Sequence, residues 1–115
     1  MITISPQLNN NQNVDNNTVK LIAKENETFL GYIELYINKN KYVEIYNLYI
    51  ENFNEQDLLD SIVKAAMAYA LNRNIFTITC KNQDLFATLN KFGFNEKSGI
   101  LYLDLFKTLK PCEQL

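Results

Sequence analysis

Residues 42–80 read YVEIYNLYIENFNEQDLLDSIVKAAMAYALNRNIFTITC. Tyr42 to Ile50 is rich in Tyr, Val and Ile, side chains that pack well on a pleated surface. Simple alternation puts Tyr42, Glu44, Tyr46, Leu48 and Ile50 on one face and Val43, Ile45, Asn47 and Tyr49 on the other. Glu51 to Glu55 reads as a loop, with Asn54 and Asp57 spaced as a capping pair at a helix start. Leu59, Ile62, Val63, Ala66, Met67 and Ala70 then recur at helical spacing, a stripe that must bury against a sheet. Asn72, Arg73 and Asn74 close that helix, and Ile75 to Cys80 alternates Ile and Phe against Thr as a short strand. A strand, a long crossover helix and another strand form a right-handed parallel unit, because the connection is too long for a hairpin. Where the strands of such a sheet diverge, a crevice opens near their ends.

Working outward, Thr18 to Ala23 and Phe29 to Ile37 read as two strands joined by the polar turn Lys24 to Glu27. Asn38, Lys39 and Asn40 make the next turn, which completes a three-stranded meander. Downstream, Asn82 is an N-cap for a second helix, Gln83 to Phe92, with the stripe Leu85, Phe86, Leu89 and Phe92. Gly93 stands where a left-handed C-cap is wanted, with Phe94 folding back on the last turn. A last hairpin turns at Lys97, Ser98 and Gly99, and Ile100 to Phe106 returns as a strand. The expected fold is α/β (α+β), a mixed and mostly antiparallel sheet in the order β-β-β-α-β-α-β-β. Residues 1–17 read as a flexible Asn-rich leader or a short edge strand at Ile2 to Ser5, residues 18–108 as the domain, and residues 109–115 as a tail.

Composition narrows the function. The 115 residues, 47% apolar, suit one core. A charge of -2 with no basic block leaves nothing to neutralise a phosphate backbone, so nucleic acid is not an expected partner. With no histidine, His-based triads and His-based zinc sites are excluded. No apolar run approaches the roughly 20 residues of a membrane span, and the start lacks a signal-peptide pattern, so a cytoplasmic chain away from membranes is expected. Cys80 and Cys112 read as a reduced pair rather than a disulfide.

The segment Asn82 to Phe94, NQDLFATLNKFGF, resembles the second-helix motif of the Gcn5-related N-acetyltransferases (GNAT), in which an Asn opens the helix and a Gly-Phe pair follows eleven and twelve residues later. Asn82, Gly93 and Phe94 fit that spacing, and the element order from Thr18 to Phe106 is similar to that fold from its second strand onward. The resemblance implies that the chain lacks the family's first strand and first two helices. It also implies acetyl-CoA as cofactor, with the pantetheine arm between the splayed strands 42–50 and 75–80 and the pyrophosphate at the helix start that follows the first. The implied cofactor positions are Leu48, Ile50, Gln56, Asp57, Leu58, Leu59, Asp60 and Asn82.

The chain departs from that pattern in two places. Asp57 and Leu59 stand where the family uses small residues that let the backbone approach a phosphate, and Glu51, Glu55 and Asp57 add like charge to a helix N-terminus that would otherwise attract an anion. Leu89 replaces the tyrosine that the family uses to protonate the departing thiolate, and leucine has no proton to give. Glu44 and Tyr46 are the substitute catalytic candidates, Glu44 as base and Tyr46 as proton carrier; Glu34 and Tyr49 stand behind them. Two functions remain open on the sequence: acetyl transfer from acetyl-CoA to a small-molecule or peptide amine, or a non-catalytic binding or regulatory module with a degenerate pyrophosphate loop. Either is compatible with a homodimer or a partner chain that uses the aromatic-rich sheet.

Overall fold

The alternating segments all enter one sheet. In the computed structural model, which describes residues 2–6, 17–38, 41–52 and 55–108, its strands are β1 (Ile2–Pro6), β2 (Thr18–Glu25), β3 (Thr28–Asn38), β4 (Tyr42–Ile50), β5 (Thr77–Cys80), β6 (Asn95–Lys97) and β7 (Ile100–Asp104). They lie in the order β1-β2-β3-β4-β5-β7-β6. All neighbours are antiparallel except β4 and β5, which are parallel, as the crossover helix requires.

That helix, α1 (Gln56–Leu71), buries Leu58, Leu59, Ile62, Val63, Ala66, Met67 and Ala70. They pack with Leu21, Ala23, Ile33, Leu35, Val43, Ile45, Leu48, Ile50 and Ile78 in one core. Its end is fixed by Asn74, which takes φ 60. This lets Ile75 N donate to Ala70 O at 2.9 Å and Asn74 N to Leu71 O at 2.9 Å, the double closure of a left-handed helix cap. At the other end the preceding residue is Glu55, whose side chain makes no cap hydrogen bond. Asn54, the expected cap, lies outside the described residues.

Several expectations are corrected. The first strand that the resemblance leaves out is present, as the edge-strand reading of Ile2 to Ser5 has it: β1 pairs along β2 from Ile2↔Glu25 to Pro6↔Leu21. The second helix is shorter than Gln83 to Phe92, consisting of a 3-10 turn (Gln83–Leu85) and α2 (Phe86–Asn90). The last strand stops at Asp104 rather than Phe106, because the Asp104 carboxylate accepts from Phe106 N at 3.0 Å and opens the helical turn α3 (Leu105–Thr108). Gly93, at φ 95, does take the left-handed position that ends α2.

The alternation of β4 is also corrected. Glu34 pairs with Asn47 and Leu35 with Ile45, so Tyr46 is an extra residue, a β-bulge. The bulge shifts the phase by one: Val43, Ile45, Leu48 and Ile50 are all buried, while Tyr42, Glu44, Asn47 and Tyr49 occupy the opposite face. That face, away from α1, also carries Lys20, Tyr32, Glu34 and Tyr36 from β2 and β3.

Candidate active site

The bulge sits where the parallel pair ends. Strands β4 and β5 share only the rungs Val43↔Ile78 and Glu44↔Thr79. Beyond Glu44, among the described residues, no strand pairs with that edge of β4, and β5 stops at Cys80. A cleft therefore opens between residues 45–50 and the chain leaving β5. One side chain crosses it: Asn82 Nδ2 donates to Tyr46 O at 3.2 Å, while Asn82 Oδ1 accepts from Asp84 N at 3.0 Å. The residue that caps the 3-10 turn thus also holds the bulge, by satisfying a carbonyl that has left the ladder.

Glu44 and Tyr46 flank this fork on the open face. Glu44 occupies its last rung, with a side chain 16% exposed and 4.0 Å from Lys81 Nζ. The Tyr46 phenol is pushed above its ordinary pKa by burial and then by the Glu34 carboxylate, so it keeps its proton through the neutral range. Glu34 is already engaged, with Asn47 Nδ2 donating to it at 3.0 Å and Lys20 Nζ 3.8 Å away. Tyr49 donates to Glu51 at 3.2 Å and stacks on Phe29 with ring centroids 6.3 Å apart, which turns it to a neighbouring aromatic patch.

The implied cofactor positions divide into two groups. Asn82 reaches the cleft, and Gln56 and Asp57 are exposed at the start of α1, where Gln56 Nε2 donates to Asp60 at 2.9 Å. Leu48, Ile50, Leu58 and Leu59 instead send their side chains into the core, Leu59 being 1% exposed, so only their backbone can meet a ligand. Leu59 consequently does not crowd the loop, whereas the acidic character of the first turn persists in Glu55 and Asp57. The cleft suits a slender, hydrogen-bonding arm such as pantetheine; the exposed N-terminal amides of α1 suit a phosphate less well, because the carboxylates around them repel it.

Cys80 is fully buried beside the fork, its thiol facing Asn82 O at 3.7 Å. Burial raises its pKa, a backbone hydrogen bond at Asn82 lowers it less, and Glu44 raises it further, so it is a poor nucleophile. The folded chain therefore holds the thiol proton above about pH 8.5, where an unfolded cysteine releases it, and stability falls as pH rises through that point. Urea midpoints measured from pH 7.5 to 9.5 should decline more steeply for the parent than for Cys80→Ala; parallel declines would contradict the assignment. Leu89 is fully buried in α2, where it serves as core. Sequence reasoning missed Thr79, Lys81 and Asn47 at this site. It also missed the bulge, whose one signal is that the aliphatic positions step from 43 and 45 to 48 and 50.

No family model matches the sequence, and no curated protein matches it. Solved structures do. A GNAT family acetyltransferase from Elizabethkingia anophelis, solved with acetyl-CoA bound, superposes with a TM-score of 0.70 at 17% identity over 90% of this chain and 98% of that one. The ribosomal-protein-S18-alanine N-acetyltransferase of Escherichia coli matches with a TM-score of 0.71 at 13% identity over 91% and 94% of the two chains. PaiA N-acetyltransferase from Thermoplasma acidophilum, solved with coenzyme A, matches at 0.64 and 21% identity, over 76% of this chain and 61% of that one. Among the described residues no helix is long and apolar enough to cross a membrane. With its parallel fork, bulged fourth strand and crossover helix, the chain has the GNAT acyl-CoA N-acyltransferase fold.

Proposed function

We propose that this chain is a cytoplasmic N-acetyltransferase that takes the acetyl group of acetyl-CoA in the β4–β5 cleft and passes it to a primary amine on the open face of the sheet. The observation that carries this reading is the two-rung parallel pair with Tyr46 bulged at its end, which leaves the edge of β4 beyond Glu44 without a partner strand, where a slender acyl carrier can lie. Acetyl-CoA supplies the activated acyl group. Glu44 takes the proton of the incoming ammonium, so that the nitrogen can bond to the acyl carbon as the carbon–sulfur bond breaks. Tyr46 gives its phenolic proton to the departing sulfur and is reprotonated, through water, by the second proton that the nitrogen loses as the amide forms, while Glu44 passes its own proton to solvent. This division of labour places a base and an acid on one strand and makes the loss of a tyrosine at Leu89 tolerable.

Calorimetric titration with acetyl-CoA tests the reading. A Kd tighter than about 100 μM, roughly 5.5 kcal/mol, supports it. Heats equal to dilution would favour the second reading, a non-catalytic module, which draws its support from the acidic first turn of α1. Removing one of those charges separates repulsion from a closed site. Asp57→Ala should tighten CoA binding about two- to fivefold, the effect of about 0.3–1 kcal/mol for a carboxylate near a helix N-terminus. An unchanged Kd in the folded variant would show that the phosphates sit elsewhere.

A further inference from the structure

Thr79 is the one polar side chain fully buried among the described residues, at 4% exposure. Its Oγ1 has no hydrogen-bond partner among them. A desolvated hydroxyl left without a partner is destabilising, and a valine of the same shape would avoid the loss. Its position explains the cost. Thr79 is the rung opposite Glu44 on one side and Tyr102 on the other, at the fork of the cleft and on the face away from α1. A cavity of about 270 Å³ opens over it, lined by Lys41, Lys81, Tyr42, Tyr102, Thr77 and Thr79, with Ile100 as its aliphatic wall.

These side chains are rich in donors. Two ammonium groups and four hydroxyls surround the space; of the carboxylates beside it, Glu44, opposite Thr79, is held only loosely by Lys81 at 4.0 Å, and Asp104 stands opposite Thr77. Such a lining attracts an anion and would repel a plain amine, except at Glu44. The volume is below the about 300–1,000 Å³ typical of drug-sized ligands, so the occupant is small.

We propose that the acceptor is a small amino acid whose carboxylate is held by the Thr79 hydroxyl and the Lys41 and Lys81 ammonium groups while its amine meets Glu44. The assignment rests on the acetyl-transfer reading for its role as acceptor site, but the carboxylate pocket itself is testable without acetyl-CoA. Thr79 is then a binding residue whose hydroxyl is kept despite its burial.

The test is a titration of the full-length 15N-labelled chain with glycine, with N-acetylglycine and with ethylamine, each followed by amide shifts, beside a separate acetyl-CoA titration. Glycine and N-acetylglycine should give saturable shifts at Thr79, Lys81 and Tyr102, and ethylamine should not. Thr79→Val should stay folded, resist urea at least as well as the parent, and lose about tenfold or more in affinity for both carboxylates, as expected for a hydrogen bond to a charged group. Thr79→Ser should retain binding. Carboxylates that give no saturable shift at Thr79, or that bind Thr79→Val unchanged, would overturn the inference, and would do so even if acetyl-CoA binds. Carboxylate binding at Thr79 with no response to acetyl-CoA would uphold the pocket and remove acetyl transfer.

Discussion

Glu44→Gln is expected to lower the rate of acetyl transfer by about 10²- to 10⁴-fold, the range for removal of a general base, while leaving the Kd for acetyl-CoA within about twofold because an amide of the same shape still fills the site. The expectation comes from position. Glu44 lies on the last shared rung of β4 and β5, on the open face, with its side chain 16% exposed and one loose partner in Lys81 at 4.0 Å. Glu34 is the natural control. It faces the same side but is tied to Asn47 at 3.0 Å and to Lys20 at 3.8 Å, so Glu34→Gln should cost far less in rate. Equal losses in the two variants, or full activity in Glu44→Gln, would remove Glu44 from the chemistry.

The second large effect is structural. Gly31→Ala should destabilise the chain by about 1–3 kcal/mol or more, the cost of forcing atoms into a filled space. A Cβ at Gly31 would run into Tyr49 O and lie 2.8 Å from Ile50 Cα and 2.9 Å from Ile50 Cγ2. Two of those are backbone atoms of the paired strand, which cannot turn aside as a side chain could. The strain would act at the end of β4, where Glu51 N donates to Leu30 O at 2.8 Å and the chain departs toward α1. A fall in the urea midpoint at constant m-value is the expected signature. A midpoint equal to that of the parent would mean that β3 and β4 are not paired in the Gly31↔Ile50 register.

Much of this was legible in residues 42–80. The stripe of α1 and the aromatic and β-branched runs on either side of it fix a strand, a helix and a parallel strand without reference to any partner. Gly93 marked its helix end because few residues accept positive φ; Asn74, legible only as one of three polar residues closing α1, takes positive φ as well. The bulge was hidden by the tyrosines: Tyr42, Tyr46 and Tyr49 count as apolar in an alternation, and that obscured the step from Ile45 to Leu48. Simple alternation consequently puts the Leu48 and Ile50 side chains on the face of Glu44, whereas they are buried in the core. The second helix was overextended because Phe92 fits its stripe, although the chain is already turning toward Gly93. Asn82 was found from its spacing, but its bond to Tyr46 O joins residues 36 apart in sequence, and no local pattern reports that. Thr79 escaped notice for the same reason, since its importance lies in what its neighbours on β4 and β7 leave unsatisfied.

The central claim is that the fork between β4 and β5 admits an acyl carrier. Amide shifts of the labelled chain during titration with acetyl-CoA test it most directly. The account predicts saturable shifts concentrated at Ile45, Tyr46, Asn47 and Asn82, with the aromatic patch around Phe29 unmoved. Shifts that leave those four residues unchanged while others respond, or no saturable response at millimolar acetyl-CoA, would contradict it.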